Sequence, residues 1–354
     1  MPIASSSRTA SPPTSPPSGT HRSETTESER IMSATSTGRR LRAFAEGRRL
    51  LLVASTGGHL AELDKLTSML RPSDTSHWVS FDNEQSRSLL ERRPHTFVPY
   101  VAPRDVRGAA RAYCAIWRLA RETRFDGVLS TGAAVGVSAM LAARIHRIDA
   151  AYVETLARLD GPSMTGSLVA RIPGVQTYTQ HPNWASKAWP YELSIIDSWH
   201  AERRERFTPR RIFVTVGTIS PYTFDRLVDR VLSIVPEGVE IRWQLGDSMR
   251  PGISGAVSML DSSDFADSLA WADVVVTHAG VGNILGAMSA GASTVVVPRR
   301  AAFDEHVDDH QLQIAEEMSS RGLAIMRDAG DLTWDDLCEA TRTTPRAATH
   351  RPLN

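Results

Sequence analysis

Cysteine is nearly absent. Cys114 and Cys338 are the only two in 354 residues and match no disulfide framework or metal-ligand spacing, so free thiols in a reducing compartment are expected. Lysine is almost as scarce, Lys65 and Lys187 being the only two, so Arg carries nearly all the positive charge. That bias reads as genome composition rather than as a function. Net charge is zero, which argues against a general nucleic-acid binder. No window holds the roughly 18 uncharged apolar residues that a membrane span needs, and the N-terminus lacks the apolar core of a signal peptide. A cytoplasmic protein is the expectation. Large apolar residues are missing from the first 40 positions, of which 22 are Ser, Thr or Pro. Burial there does not offset the entropy of ordering, so residues 1–48 read as a disordered tail.

The rest is 300 residues of alternating strand-like and helix-like runs. Strand patterns at 50–55, 77–81, 127–131, 150–154 and 175–180 enclose helical ones at 59–70, 84–92, 105–123 and 133–146. This predicts a parallel α/β domain over 49–200. Residues 198–211, SWHAERRERFTPRR, show no strand pattern, and 201–210 reads as a linker. Alternation resumes with strands at 211–217, 240–246, 273–278, 293–298 and 322–326, and with helices at 223–235, 264–270, 282–290 and 308–320. A second Rossmann-like domain is expected over 211–335, with 336–354 a frayed tail.

Ligands of open parallel sheets gather beyond the carboxyl ends of the strands. Four clusters lie there. In Ser55-Thr56-Gly57-Gly58-His59, two glycines permit a tight turn and His59 enters the next helix. The positive helix start disfavours imidazolium, making His59 a candidate general base, although a simple turn and cap would look the same. Gly217-Thr218 follows the 211–217 strand, where its amides suit a diphosphate oxygen. His278-Ala279-Gly280-Val281-Gly282-Asn283 joins a fully apolar strand to a small-residue helix, the arrangement that lays backbone N–H groups against phosphate. In the fourth cluster, Pro298 to Gln311, Asp309 and Gln311 suit sugar hydroxyls, and Arg299 and Arg300 offer charge to an anion. The Asp308-Asp309 pair superficially suggests a metal, but no metal site is expected in a fold that meets phosphate with helix starts. Separately, residues 104–124 carry six arginines against Asp105 and Glu122, with Val106, Ala110, Tyr113, Trp117 and Ala120 at helical spacing. Such a helix either rests on an anionic membrane or buries its stripe against the sheet.

Together these motifs resemble glycosyltransferase family 28 and its two-subunit relatives. The first half is similar to the acceptor-side subunit of the dolichyl-diphosphate-linked N-acetylglucosaminyltransferase and of exopolysaccharide glucuronosyltransferases, at STGGHLAEL (55–63), STGAAVGVSA (130–139) and YVETLARLDGPSMTG (152–166). The second half resembles the donor-side subunit at VTVGT (214–218), THAGVGNIL (277–285) and PRRAAFDEHVDDHQLQIAEEM (298–318). The resemblance implies a GT-B fold, two Rossmann-like domains facing a cleft. It also implies a UDP-sugar donor in the second half and a polyprenyl-diphosphate-linked glycan acceptor at the first. By position, Thr218, His278, Gly280, Gly282 and Asn283 would surround the diphosphate, Asp309 and Gln311 would face the donor sugar, and His59 would be the base. Glu154 shares an acceptor-side motif and is a second catalytic candidate. Many family members carry a ribose-contacting glutamate where this chain has Gly286, a departure that favours exopolysaccharide or capsule synthesis over peptidoglycan.

The expected reaction is a metal-free in-line displacement with inversion, the acceptor hydroxyl giving its proton to His59 while amides at 280–283 take up charge on departing UDP. Two rivals remain. Gly280, Gly282 and Gly286 with Arg299-Arg300 fit part of an NADP-oxidoreductase pattern, and a non-catalytic nucleotide-sugar scaffold would also tolerate Gly286.

Overall fold

A run of five apolar residues with no polar break, LLLVA, forms β1 (Leu50–Ala54), and every one of them is buried. Such a run is what a central parallel strand covered on both faces requires. The computed structural model describes residues 39–101 and 105–348, all within one contact unit, Thr37–Asn354. Chain order in the first half is α1 (Arg39–Ala45), β1, α2 (Gly58–Leu70), β2 (His77–Phe81), α3 (Glu84–Leu90), β3 (His95–Val98), α4 (Val106–Glu122), β4 (Gly127–Gly132), α5 (Ala133–His146), β5 (Ala150–Val153), α6 (Met164–Val169) and β6 (Val175–Tyr178). The sheet order is β3-β2-β1-β4-β5-β6, with all pairs parallel.

After β7 (Trp199–Arg203), the second half runs β8 (Arg211–Thr215), α7 (Asp225–Ile234), β9 (Glu240–Gln244), β10 (Ala256–Val257), α8 (Ser262–Trp271), β11 (Val274–His278), α9 (Val281–Ser289), β12 (Thr294–Val297), α10 (His310–Ser320), β13 (Ile325–Met326), α11 (Trp334–Ala340) and β14 (Thr343–Ala347). Its sheet repeats the first one's plan as β10-β9-β8-β11-β12-β13, again parallel. This is the GT-B architecture of two Rossmann-like sheets. Each sheet reverses its strand order at one point, between β1 and β4 in one and between β8 and β11 in the other. Three of the four motif clusters sit at those switch points.

Both expected tails are shorter than the composition suggested. Residues 1–38 and 349–354 lie outside the described residues, but α1 is ordered, with Leu41, Phe44 and Ala45 buried. The Leu41 N–H donates to the Glu192 carboxylate at 2.7 Å. The expected linker and C-terminal tail instead pair with each other, β7 antiparallel to β14. Arg204 secures that ribbon, its Nε donating to the Thr341 carbonyl and its Nη2 to Ser293 Oγ at 2.8 Å. A two-stranded ribbon shows little alternation, and Pro345 fits because a proline is tolerated at a strand edge.

Helix α4 begins at Asp105, whose side chain accepts from the Gly108 N–H. Ala112, Ile116 and Ala120 are buried, and Trp117 packs against His146 with ring centroids 5.4 Å apart. Its apolar stripe therefore serves the fold, while Arg107, Arg111, Arg118 and Arg121 are exposed.

Candidate functional site

The starts of α2 and α9, one from each half, meet backbone to backbone. A Cβ placed on Gly58 would lie 3.5 Å from Val281 Cβ and 3.6 Å from the Gly282 nitrogen, and one on Gly282 would lie 3.6 Å from Gly58 Cα. A methyl just fits; any longer side chain must push the halves apart. Behind this contact one apolar cluster runs through both halves, joining Leu60 and Leu63 to Ile284, Leu285 and Met288. Among the described residues no side chain caps either helix, whose N-caps are Gly57 and Gly280. Uncapped first-turn N–H groups, with the helix dipole behind them, suit an anion.

His59 lies in the first turn of α2, half-buried. Its Nδ1 is 3.0 Å from the Thr131 carbonyl, and Thr131 Oγ1 donates to the His59 carbonyl at 2.8 Å. Only an Nδ1–H can donate to a carbonyl, so the neutral ring carries its free lone pair on Nε2. Burial holds the imidazole below its ordinary pKa, against the opposing effect of the Thr131 bond. Both effects suit a base at neutral pH. Gly132, with φ 136°, leaves the room the ring needs, since a Cβ there would lie 2.7 Å from His59 Cε1. Gly57, in the left-handed region, is fixed by Gln85, whose Oε1 accepts its N–H at 2.6 Å and whose Nε2 donates to its carbonyl at 3.1 Å. Nothing in the sequence pattern pointed to Gln85.

Glu154 does not share this position. It is fully buried, and its carboxylate accepts from the Thr155 N–H at 3.0 Å and from the Ser163 N–H and Oγ at 2.9 and 3.1 Å. Burial raises its pKa, yet with no exposed edge it anchors the loop before α6 rather than meeting an acceptor. A second buried carboxylate, Glu62, was missed although it lies in STGGHLAEL. It accepts from Thr155 Oγ1 at 2.6 Å, the Leu156 N–H at 3.1 Å and Gln180 Nε2 at 3.1 Å, and burial pushes its pKa up to about 8.

In the second half several candidate ligands turn inward. The His278 ring fills the space left by two glycines: a Cβ on Gly217 would lie 2.7 Å from its Nε2 and one on Gly280 only 2.2 Å away. Burial, aided by the Arg299 charge, lowers its pKa to about 3, so the ring is neutral. Asn283 Nδ2 donates to Thr215 Oγ1 at 2.9 Å and Thr277 Oγ1 at 3.2 Å. These two side chains brace the turn from behind and leave its backbone to face outward. Thr218 is exposed beside it.

Arg299 is the clearest departure from expectation. Instead of offering its charge to an anion, it is 1% exposed and donates to the carbonyls of Val216 at 2.6 Å, Glu305 at 2.8 Å, Tyr222 at 3.1 Å and Thr223 at 3.5 Å. Gln311 Oε1 accepts the Arg299 N–H at 3.1 Å, and Gln311 is itself buried. Asp309 Oδ1 accepts from the Ala301 N–H at 2.9 Å while the residue stays exposed, leaving it the freest polar group of this loop. At Gly286 a Cβ would lie 3.2 Å from Leu269 Cδ1 and 3.4 Å from Phe265 Cε1. The missing glutamate thus coincides with close packing of α9 on α8.

Residues 211–344 match the glycosyltransferase family 28 C-terminal domain. The chain is 26% identical over 326 residues to the UDP-N-acetylglucosamine–N-acetylmuramyl-(pentapeptide) pyrophosphoryl-undecaprenol N-acetylglucosamine transferase of Acidovorax sp. (strain JS42), covering 84% of this chain and 79% of that one. The like-named protein of Cupriavidus necator is 27% identical over 173 residues, and the match spans only about half of each chain, 46% of this one and 48% of the relative. Among solved structures, MurG of Acinetobacter baumannii aligns with TM-score 0.50 and 19% identity over 82% of this chain and 89% of that one. The glycosyltransferase SnogD from Streptomyces nogalater aligns with TM-score 0.54 and 18% identity over 84% and 93%. The chain is a GT-B glycosyltransferase whose second half carries the family 28 C-terminal domain.

Proposed function

We propose that the protein transfers a sugar, with inversion, from a UDP-sugar held by its second half to a polyprenyl-diphosphate-linked acceptor at its first half. The observation that carries this reading is the contact between Gly58 and Gly282, which brings two uncapped helix starts and His59 to one place. His59 Nε2 takes the proton of the attacking hydroxyl, and the first-turn amides of α9 take up the charge developing on UDP. The names of the Acidovorax and Cupriavidus relatives support a UDP-N-acetylglucosamine donor and a diphosphate-lipid acceptor. Gly286 supports the finer reading, assembly of an exopolysaccharide or capsule.

No helix among the described residues is long and apolar enough to cross a membrane. A lipid-linked acceptor would therefore be met peripherally, at the inner face of an anionic membrane. The exposed arginines of α4 support such contact.

The test is a panel of UDP-sugars with a short polyprenyl-diphosphate acceptor, with the anomeric configuration of the product read by NMR. One donor should give an inverted product. His59→Gln should lower kcat by roughly 10²–10⁴-fold while UDP still raises the Tm. Stabilisation by NADPH but not UDP would return the choice to an oxidoreductase, and absence of transfer with every donor would leave the scaffold.

A further inference from the structure

Three side chains outside the proposed chemistry converge on the loop before α10. Ligand atoms of His306, Asp308 and His310 all lie within 4.8 Å of one another. His306 Nδ1 is 3.4 Å from Asp308 Oδ1, and His310 Nδ1 contacts that same oxygen. Zinc bound at roughly 2.0–2.1 Å in tetrahedral geometry separates its ligands by about 3.4 Å.

A second observation is independent of this clustering. The His306 side chain is only 9% exposed, and its Nδ1 is buried with no hydrogen-bond partner. A buried polar nitrogen left unmatched costs about 1–3 kcal/mol, so its orientation asks for a partner. Tyr222 stacks on the ring at 6.0 Å and 27°, fixing its direction, and the His310 ring meets it edge-on at 4.7 Å. Asp308 divides its two oxygens. Oδ1 faces the histidines, while Oδ2 is 3.7 Å from Arg158 Nη2 of the first half, the kind of outer contact that orients a ligating carboxylate.

We infer that His306, Asp308 and His310 form a site for one divalent transition-metal ion of the zinc class, with water in the fourth position. Two imidazoles and a carboxylate are borderline donors that suit zinc better than magnesium or calcium. The ion would tie the start of α10 to the loop that carries Asp309 and, through Asp308 and Arg158, to the first half. It takes no part in the displacement above, and the inference does not rest on that reading.

Tag-free, metal-stripped protein would be titrated with zinc chloride by calorimetry, and its cobalt-substituted form recorded by visible spectroscopy. One equivalent of zinc and the absorption of tetrahedral cobalt are expected. Asp308→Asn and His310→Ala should each weaken binding by about tenfold or more, while His200→Ala, on exposed β7, should leave it unchanged. No stoichiometric zinc uptake by the wild-type protein would overturn the site even if a variant failed to fold. Equal affinity in wild type and folded His310→Ala would also overturn it.

Discussion

Replacing Arg299 with methionine separates two roles that the residue types alone do not distinguish. As a phosphate ligand, Arg299 would contribute to UDP affinity and little to stability. Buried as it is, with three carbonyl acceptors at 2.6–3.1 Å and a fourth at 3.5 Å, it is instead the clamp joining the loop after β8 to the loop after β12. Hydrogen bonds to a charged group are each worth about 1.5–3 kcal/mol, but the methionine also removes the desolvation penalty of a buried cation. Burial lowers the arginine's pKa only to about 10, so that cation is present at neutral pH. Orphaning several buried carbonyls should outweigh the gain and cost about 3–5 kcal/mol, as when one partner of a buried pair is deleted. Arg299→Lys, which keeps the charge but loses the planar fork, should cost about half as much. Urea denaturation reads the stability, and calorimetry reads UDP affinity in the folded fraction. A stability loss under about 1 kcal/mol together with much weaker UDP binding would refute the clamp and restore the anion-binding role.

Two further outcomes follow from the same geometry. Gly132→Ala puts a methyl against His59 in a backbone region that is almost exclusively glycine's, at a cost of about 1–3 kcal/mol; kcat should fall at least tenfold while circular dichroism stays native, and unchanged kcat would mean the ring's position is not critical. His278 and His59 both titrate below their ordinary value in the folded state, so the unfolded chain binds more protons as pH falls below about 6.5. Stability should therefore be full above that pH and decline toward pH 3 by up to about 1.4 kcal/mol per pH unit for each such histidine, and folded His278→Gln should show a shallower decline in pH-dependent denaturation.

Both sheets were legible because their central strands are continuous apolar runs ending in Gly-rich turns, a pattern that burial on two faces imposes. LLLVA and DVVVTH carry it most plainly. Strands at the edges were not: β3 was missed because only Val98 of its four residues is buried, and β7 and β14 because an exposed ribbon needs no periodic apolar face. The short α6 also escaped, being a six-residue helix started by the Ser163 side chain that Glu154 holds.

For the site, position along the chain was readable and side-chain direction was not. Glycine positions translate directly into geometry, because the space a glycine leaves must be filled by something. Gly132 leaves room for His59, Gly217 and Gly280 leave room for His278, and Gly58 and Gly282 leave room for each other. A polar residue beside such a turn has two outlets, outward to a ligand or inward to the backbone that shapes the turn. Arg299, Gln311, Asn283 and Glu154 took the inward one, which follows from the number of buried carbonyl, amide and hydroxyl groups that two adjoining loops must satisfy. A turn that presents its backbone to phosphate uses up its own amides on the ligand side, so side chains must supply the bonds on the other side. The polar residues crowding these loops therefore belong to the apparatus that holds the amides in place, and His59 is the exception because the Thr131 carbonyl takes one nitrogen and leaves the other free.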